Sequence, residues 1–126
     1  MKIFIASIIT FLLIIILITG YLFFLNYTIN QLNVQINKIL IDLEENDWLS
    51  LKNNYEELSE NWQKNKSWLE GFSNHSKTDQ IDQVITEIEK LIDFKDKKQL
   101  VISTNKLKLF LHFLYDDELP TIENII

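Results

Sequence analysis

Cysteine and arginine are both missing from this 126-residue chain, glycine occurs only twice and proline only once. Without cysteine there is no disulfide framework, no thiolate chemistry and no cysteine-linked lipid. Without arginine there is no bidentate clamp for phosphate or carboxylate. The twelve basic residues are therefore all lysines, set against eighteen acidic residues for a net charge of −6. A phosphate backbone needs clustered cations, so nucleic acid is not an expected partner. The same balance disfavours anionic headgroups for the polar part as a whole. Glycine and proline are too scarce for a turn-rich β fold, and any outer domain must be held by packing alone.

Apolar length is what the chain has in excess. Seventeen of the 23 residues from 3 to 25 are Leu, Ile or Phe, and none is charged. As a helix this run reaches about 34 Å, against roughly 30 Å of hydrocarbon in a bilayer. Each such residue favours insertion by roughly 0.3–0.6 kcal/mol near the helix centre. Ser7, Thr10 and Thr19 can bond back to the helix's own carbonyls, and Tyr21 and Tyr27 suit the interfacial layer. A cleavable signal peptide has an apolar core of about 7–15 residues followed by a small-x-small site. This run is longer, and residues 22–27 offer no such site. The expectation is an uncleaved signal-anchor over residues 1–26 and a helical domain over residues 27–126.

The flanks set the orientation. Lys2 precedes the span, whereas the first charges after it are Lys38, Asp42, Glu44 and Glu45. Positive residues stay on the cytoplasmic side, so the N-terminus is expected inside and the C-terminal domain outside the cell membrane.

Beyond the span the hydrophobic spacing reads as helix almost throughout. Leu22, Leu25, Ile29, Leu32, Ile36, Ile39 and Leu43 alternate steps of three and four, so one helix leaves the bilayer and runs on to about Leu43. A second seam holds Trp48, Leu51, Tyr55, Leu58, Trp62, Leu69 and Phe72, with Asn65 in its polar slot. The step of five from Leu43 to Trp48 breaks the phase and marks residues 44–47 as a turn or a stutter. Asn46 or Asp47 is then the next N-cap. Residues 71–78 read as a loop, and Ser76-x-x-Asp79 resembles a capping box. A third helix shows Ile81, Val84, Ile85, Ile88, Leu91 and Ile92 on one face. Asp96 to Gln99 can cap a fourth, with Leu100, Leu107, Phe110, Leu111 and Leu114 inward and Pro120 at its end. The fold expected is all-α: a transmembrane helix continuing into a small antiparallel bundle of about four helices.

Chemistry is harder to find. His75 and His112 are the two histidines, and neither has metal-ligand spacing. His112, among Leu111, Phe113 and Leu114, reads as a partly buried packing residue. Neighbouring carboxylates at Glu44/Glu45, Glu56/Glu57 and Asp116 to Glu118 point apart on helices and read as solvated faces, not as an acid–base pair or a calcium loop. Trp48, Tyr55 and Trp62 fit one seam and read as core, not as a sugar-stacking stripe. Trp68 falls off that seam and is the expected exposed aromatic contact. No catalytic, metal or cofactor site is expected, and the chain is not expected to be an enzyme.

Several features together resemble an uncharacterised bacterial family of short, single-span helical envelope proteins, a domain of unknown function found mainly in spore-forming Gram-positive lineages. They are the span, Trp48, Trp62 and Trp68, the Phe72-Ser73-Asn74-His75 element opening an Ile/Glu-rich helix, and the ending Leu119-Pro120-Thr121-Ile122-Glu123-Asn124-Ile125-Ile126. The resemblance covers nearly the whole chain and carries no established activity. It implies an accessory partner of a multi-span membrane protein, in the envelope or in sporulation. The expected function is thus a membrane-anchored interaction protein. It holds lipid through residues 3–25 and meets a protein partner or another copy of itself through Trp68, His75, Glu123 and Asn124. Two other readings remain: a structural coiled coil of the cell-division or phage-lysis kind built on residues 22–43, and an envelope carbohydrate-binding module.

Overall fold

The computed structural model describes residues 1–72 and 75–118. Among the described residues there are four helices and no strand: α1 (Lys2–Glu45), α2 (Trp48–Phe72), α3 (His75–Phe94) and α4 (Lys97–Glu118). The fold is all-α, with a long apolar N-terminal helix that continues into an antiparallel bundle.

α1 has 44 residues, about 66 Å at the α-helical rise, and its two halves are built differently. From Ile3 to Ile18 the large apolar side chains point all round and are 43–84% exposed. From Leu25 onward one face is buried, with Leu25, Ile29, Leu32, Ile36, Ile39 and Leu43 inside, while Tyr27, Val34 and Ile41 stay exposed on the others. An all-round apolar helix has no polar face to turn to water, whereas a one-sided helix packs against neighbours. The change at residue 25 therefore marks where the bundle begins.

The other three helices complete a square. α1 packs against α2 and α4, and α3 against α2 and α4, so that α1 and α3 stand on one diagonal and α2 and α4 on the other. Cross-helix bonds fix the directions. Asn54 Nδ2 donates to Asp42 Oδ2 at 2.6 Å and Asn61 Nδ2 to Gln35 Oε1 at 3.4 Å, so α2 runs back along α1. Lys97 Nζ donates to Asn46 Oδ1 at 3.0 Å and Lys108 Nζ to Asn37 Oδ1 at 3.3 Å, so α4 runs back along α1 as well. The core holds Trp62 with leucines and isoleucines from all four helices, among them Leu32, Leu58, Ile88 and Leu107. Asp42, also buried, accepts from Ser50 Oγ at 3.1 Å as well as from Asn54.

Two turns close the end of the bundle remote from the exposed half of α1, and they share one construction. Asn46 is left-handed at φ 55°; its N–H bonds Leu43 O, and Asp47 N–H bonds Asp42 O. Lys95 is left-handed at φ 53°; its N–H bonds Ile92 O, and Asp96 N–H bonds Leu91 O. Each is a Schellman closure. In each, the residue after the left-handed one is an aspartate that caps the next helix, Asp47 Oδ1 accepting from Ser50 N–H and Asp96 Oδ1 from Gln99 N–H. The expected turn at 44–47 is therefore narrowed to Asn46 and Asp47, since Glu44 and Glu45 still belong to α1, with Asp47 as the cap and Asn46 in the strained slot. Asparagine tolerates that slot, but a lysine there is strained by about 1–2 kcal/mol. Lys95→Gly is accordingly expected to stabilise the bundle by about 0.5–1 kcal/mol once glycine's greater freedom in the unfolded chain is counted. A chemical denaturation midpoint checks it.

The expected loop at 71–78 is corrected. α2 continues to Phe72 and α3 already begins at His75, with Thr78 buried and its hydroxyl donating to His75 O at 3.0 Å. Ser76 is thus inside the first turn of α3 and is not its cap. Polar residues in a first turn help satisfy the unpaired N–H groups there, so such a turn looks like a loop by composition.

Tyr55 is buried between α2 and α3, its hydroxyl donating to Ile85 O at 2.9 Å. Burial, with the nearby negative charge of Glu89, pushes the phenol up to about 12. A group whose folded pKa is raised contributes its stability below the unfolded value and loses it as pH climbs through the folded one. The bundle should therefore weaken between about pH 10 and pH 12. Tyr55→Phe is expected to flatten that part of an alkaline unfolding profile while costing about 1 kcal/mol at neutral pH for the lost bond.

Candidate functional site

The C-terminal half of α2 lies beside α1 where α1 leaves the bundle. Tyr21 of α1 meets Trp68 of α2 edge to face, with ring centroids 5.9 Å apart and planes at 87°. The Trp68 indole Nε1 donates to Asn65 Oδ1 at 2.9 Å, and Asn65 Nδ2 donates in turn to Asn61 O at 2.8 Å and to Asn61 Oδ1 at 2.9 Å. This chain of amides explains the polar slot at Asn65 in an otherwise apolar seam. On α1, Gln31 Nε2 donates to the Tyr27 hydroxyl at 2.7 Å.

Between the two helices is an open groove of about 720 Å³, within the size range of small-molecule sites. Ile16, Leu17 and Phe24 line one end, Gln31, Asn61 and Lys64 the other. Gly20 lies between them, and a Cβ placed there would meet nothing within 4 Å.

A second polar cluster joins α2 to α3. Asp82 accepts the Trp62 indole N–H at 2.6 Å through one oxygen and pairs with the Lys66 ammonium through the other. Glu70 is 3.6 Å from the same ammonium. The bond to Asp82 is the main cause that raises the Lys66 pKa above its ordinary value. With both carboxylate oxygens occupied and the indole sealed in the core, this cluster is a clamp between helices.

Of the residues singled out in the sequence, Trp68 and His75 lie at the same end of the bundle, the end from which α1 departs. His75 is exposed and opens α3. Trp68 is half-buried, because Tyr21 covers one edge of the ring, so the expectation of a free aromatic is corrected. Glu123 and Asn124 lie outside the described residues. His112 is exposed, with Nε2 3.0 Å from Asp116 Oδ2 one turn on, and is not a packing residue; the core face of α4 is filled by Leu107, Leu111 and Leu114. Trp62 and Tyr55 are core, with Trp48 partly buried against the core cluster, as their shared seam implied. The sequence reading missed Lys64, Gln31 and Asn61, single polar residues on helix faces that form no motif. The one available signal was a pair of interfacial tyrosines, Tyr21 and Tyr27, with a tryptophan on the helix that returns to them.

Among the described residues no three His, Asp or Glu side chains converge as a metal site would require. No curated protein and no solved structure matches this chain. Residues 20–125 match a domain family of unknown function, DUF4363, from the last turns of the apolar stretch of α1 to beyond the end of α4. That match takes in the whole bundle, and the chain belongs to this family.

Proposed function

We propose that this protein is a single-span membrane-anchored interaction protein of the bacterial envelope. Its helical bundle stands on the outer surface of the cytoplasmic membrane and engages a protein partner there. The observation that carries the reading is the exposed half of α1: an 18-residue window of mean hydropathy 2.9 of which nothing is buried. A patch of that size in water is unstable, and a bilayer is the solvent that suits it. Lys2 before the span, and no cation after it until Lys38, support an inward N-terminus.

The partner surface is proposed at the membrane-proximal end, where Trp68 and His75 lie, with Glu123 and Asn124, outside the described residues, as further candidates. An accessory role beside a multi-span membrane protein, in envelope upkeep or sporulation, fits a partner surface held at that height. The coiled-coil reading has less support, because the seam from Leu25 to Leu43 is covered by α2 and α4 of the same chain. The carbohydrate reading loses its stripe to the core.

Crosslinking from position 75 in native membranes, followed by detergent extraction, tests the partner. One discrete protein adduct, lost when Trp68→Ala is introduced into the same protein carrying the crosslinker at position 75, is expected. A product that remains uncrosslinked and monomeric would contradict the reading.

A further inference from the structure

The groove between α1 and α2 changes its chemistry along its length. Its apolar end, at Ile16, Leu17 and Phe24, lies on the bare stretch of α1, and its polar end is Gln31, Asn61 and Lys64. From Ile16 to Gln31 the groove follows about 22 Å of helix. With residues 3–25 in hydrocarbon, Gln31 stands about 9 Å beyond its edge, close to the headgroup layer that adds roughly 5–8 Å on each side. Among the described residues Lys64 is the only charged side chain on the groove wall, and it bonds to none of the others. Two positions on, by contrast, Lys66 is held by Asp82 and Glu70. Gly20 leaves the middle of the groove open.

We propose that this groove binds one anionic glycerophospholipid. An acyl chain lies along Ile16, Leu17, Gly20 and Phe24, and the phosphate sits on Lys64 Nζ beside the amides of Gln31 and Asn61. The inference rests on the membrane-anchored reading above. A phospholipid passes from apolar to anionic at the depth where the wall passes from apolar to cationic. A partner's transmembrane helix would fill the lower half equally well, but it would cover the Lys64 charge without answering it, and an unpaired charge is costly to bury. The net negative charge of the domain does not decide the matter. It is spread over the bundle and screened beyond about 10 Å in ordinary salt, so the local cation governs what the groove takes.

The test uses the full chain in nanodiscs of equal phosphatidylglycerol and phosphatidylcholine, released gently and weighed by native mass spectrometry. One phosphatidylglycerol per chain is expected to remain bound. Lys64→Gln should lower its retention about fivefold, the weight of one lysine near an anionic surface. Gly20→Leu, whose side chain has room to fill the groove, should abolish retention of either lipid. Circular dichroism should show both variants as helical as the parent. Equal retention by parent and variants would overturn the proposal. So would a photo-crosslinker at position 24 that captures a protein in native membranes instead of lipid. Either result leaves the anchor intact, whereas a parent chain that never enters nanodiscs would overturn the anchor itself.

Discussion

Trp62→Ala is expected to lower the stability of the bundle by about 3–5 kcal/mol, the range for deleting a fully buried aromatic. Trp62 is 0% exposed and is the largest side chain wholly inside the core. Its loss opens a hole in a core that all four helices build and strips Asp82 of one of its two side-chain donors. A domain of about one hundred residues is commonly stable by only about 5–15 kcal/mol, so this single change threatens the fold. Trp62→Phe separates the contributions. It keeps most of the buried surface and loses the indole donor, and should cost about 1–3 kcal/mol. Denaturant titration of both variants in detergent, followed by helical circular dichroism, reads the difference. Equal effects would mean that the bond to Asp82, and not packing, dominates at this position.

Leu13→Asp with Ile14→Asp is expected to do the reverse, leaving the bundle folded and removing the protein from the membrane. Each aspartate at the centre of a span costs about 2.5–3.5 kcal/mol on the insertion scale, and each also removes a favourable residue. The pair should cancel most of the insertion energy of residues 3–25. Both positions are exposed and touch no part of the core, so the midpoint of bundle unfolding should not move. Alkaline carbonate extraction reads the loss of membrane association. A double variant that stayed in the pellet would show that another part of the chain holds it there.

How much was legible in the sequence depended on whether the relevant physics is local. The four apolar seams were readable because a helix repeats its facing residues every three or four positions, and the buried set reproduces them nearly residue for residue, from Leu25 to Leu43 and from Leu100 to Leu114. The turn after Leu43 was readable as a break in phase and a pair of cap formers. Which of the two took the cap was not, since that depends on Asn46 adopting the left-handed conformation. The first turn of α3 was misread because its polar residues look the same in a loop and at a helix start. His112 was misread because its neighbours in sequence are apolar while its face of α4 is not covered. The groove was out of reach for a different reason. Lys64 and Gln31 become neighbours only when α2 folds back along α1, and nothing in either segment alone announces the other.

The central claim is that residues 3–25 cross a bilayer and that the bundle stands on its outer side. The absence of native cysteine makes it directly measurable with single cysteines placed at Asn53, exposed on α2, and at Ile14, in the middle of the bare stretch of α1. In intact cells, a membrane-impermeant maleimide should label the Asn53→Cys protein fully and the Ile14→Cys protein not at all. Protection of Asn53→Cys until the cells are opened, or ready labelling of Ile14→Cys in intact membranes, would contradict the account.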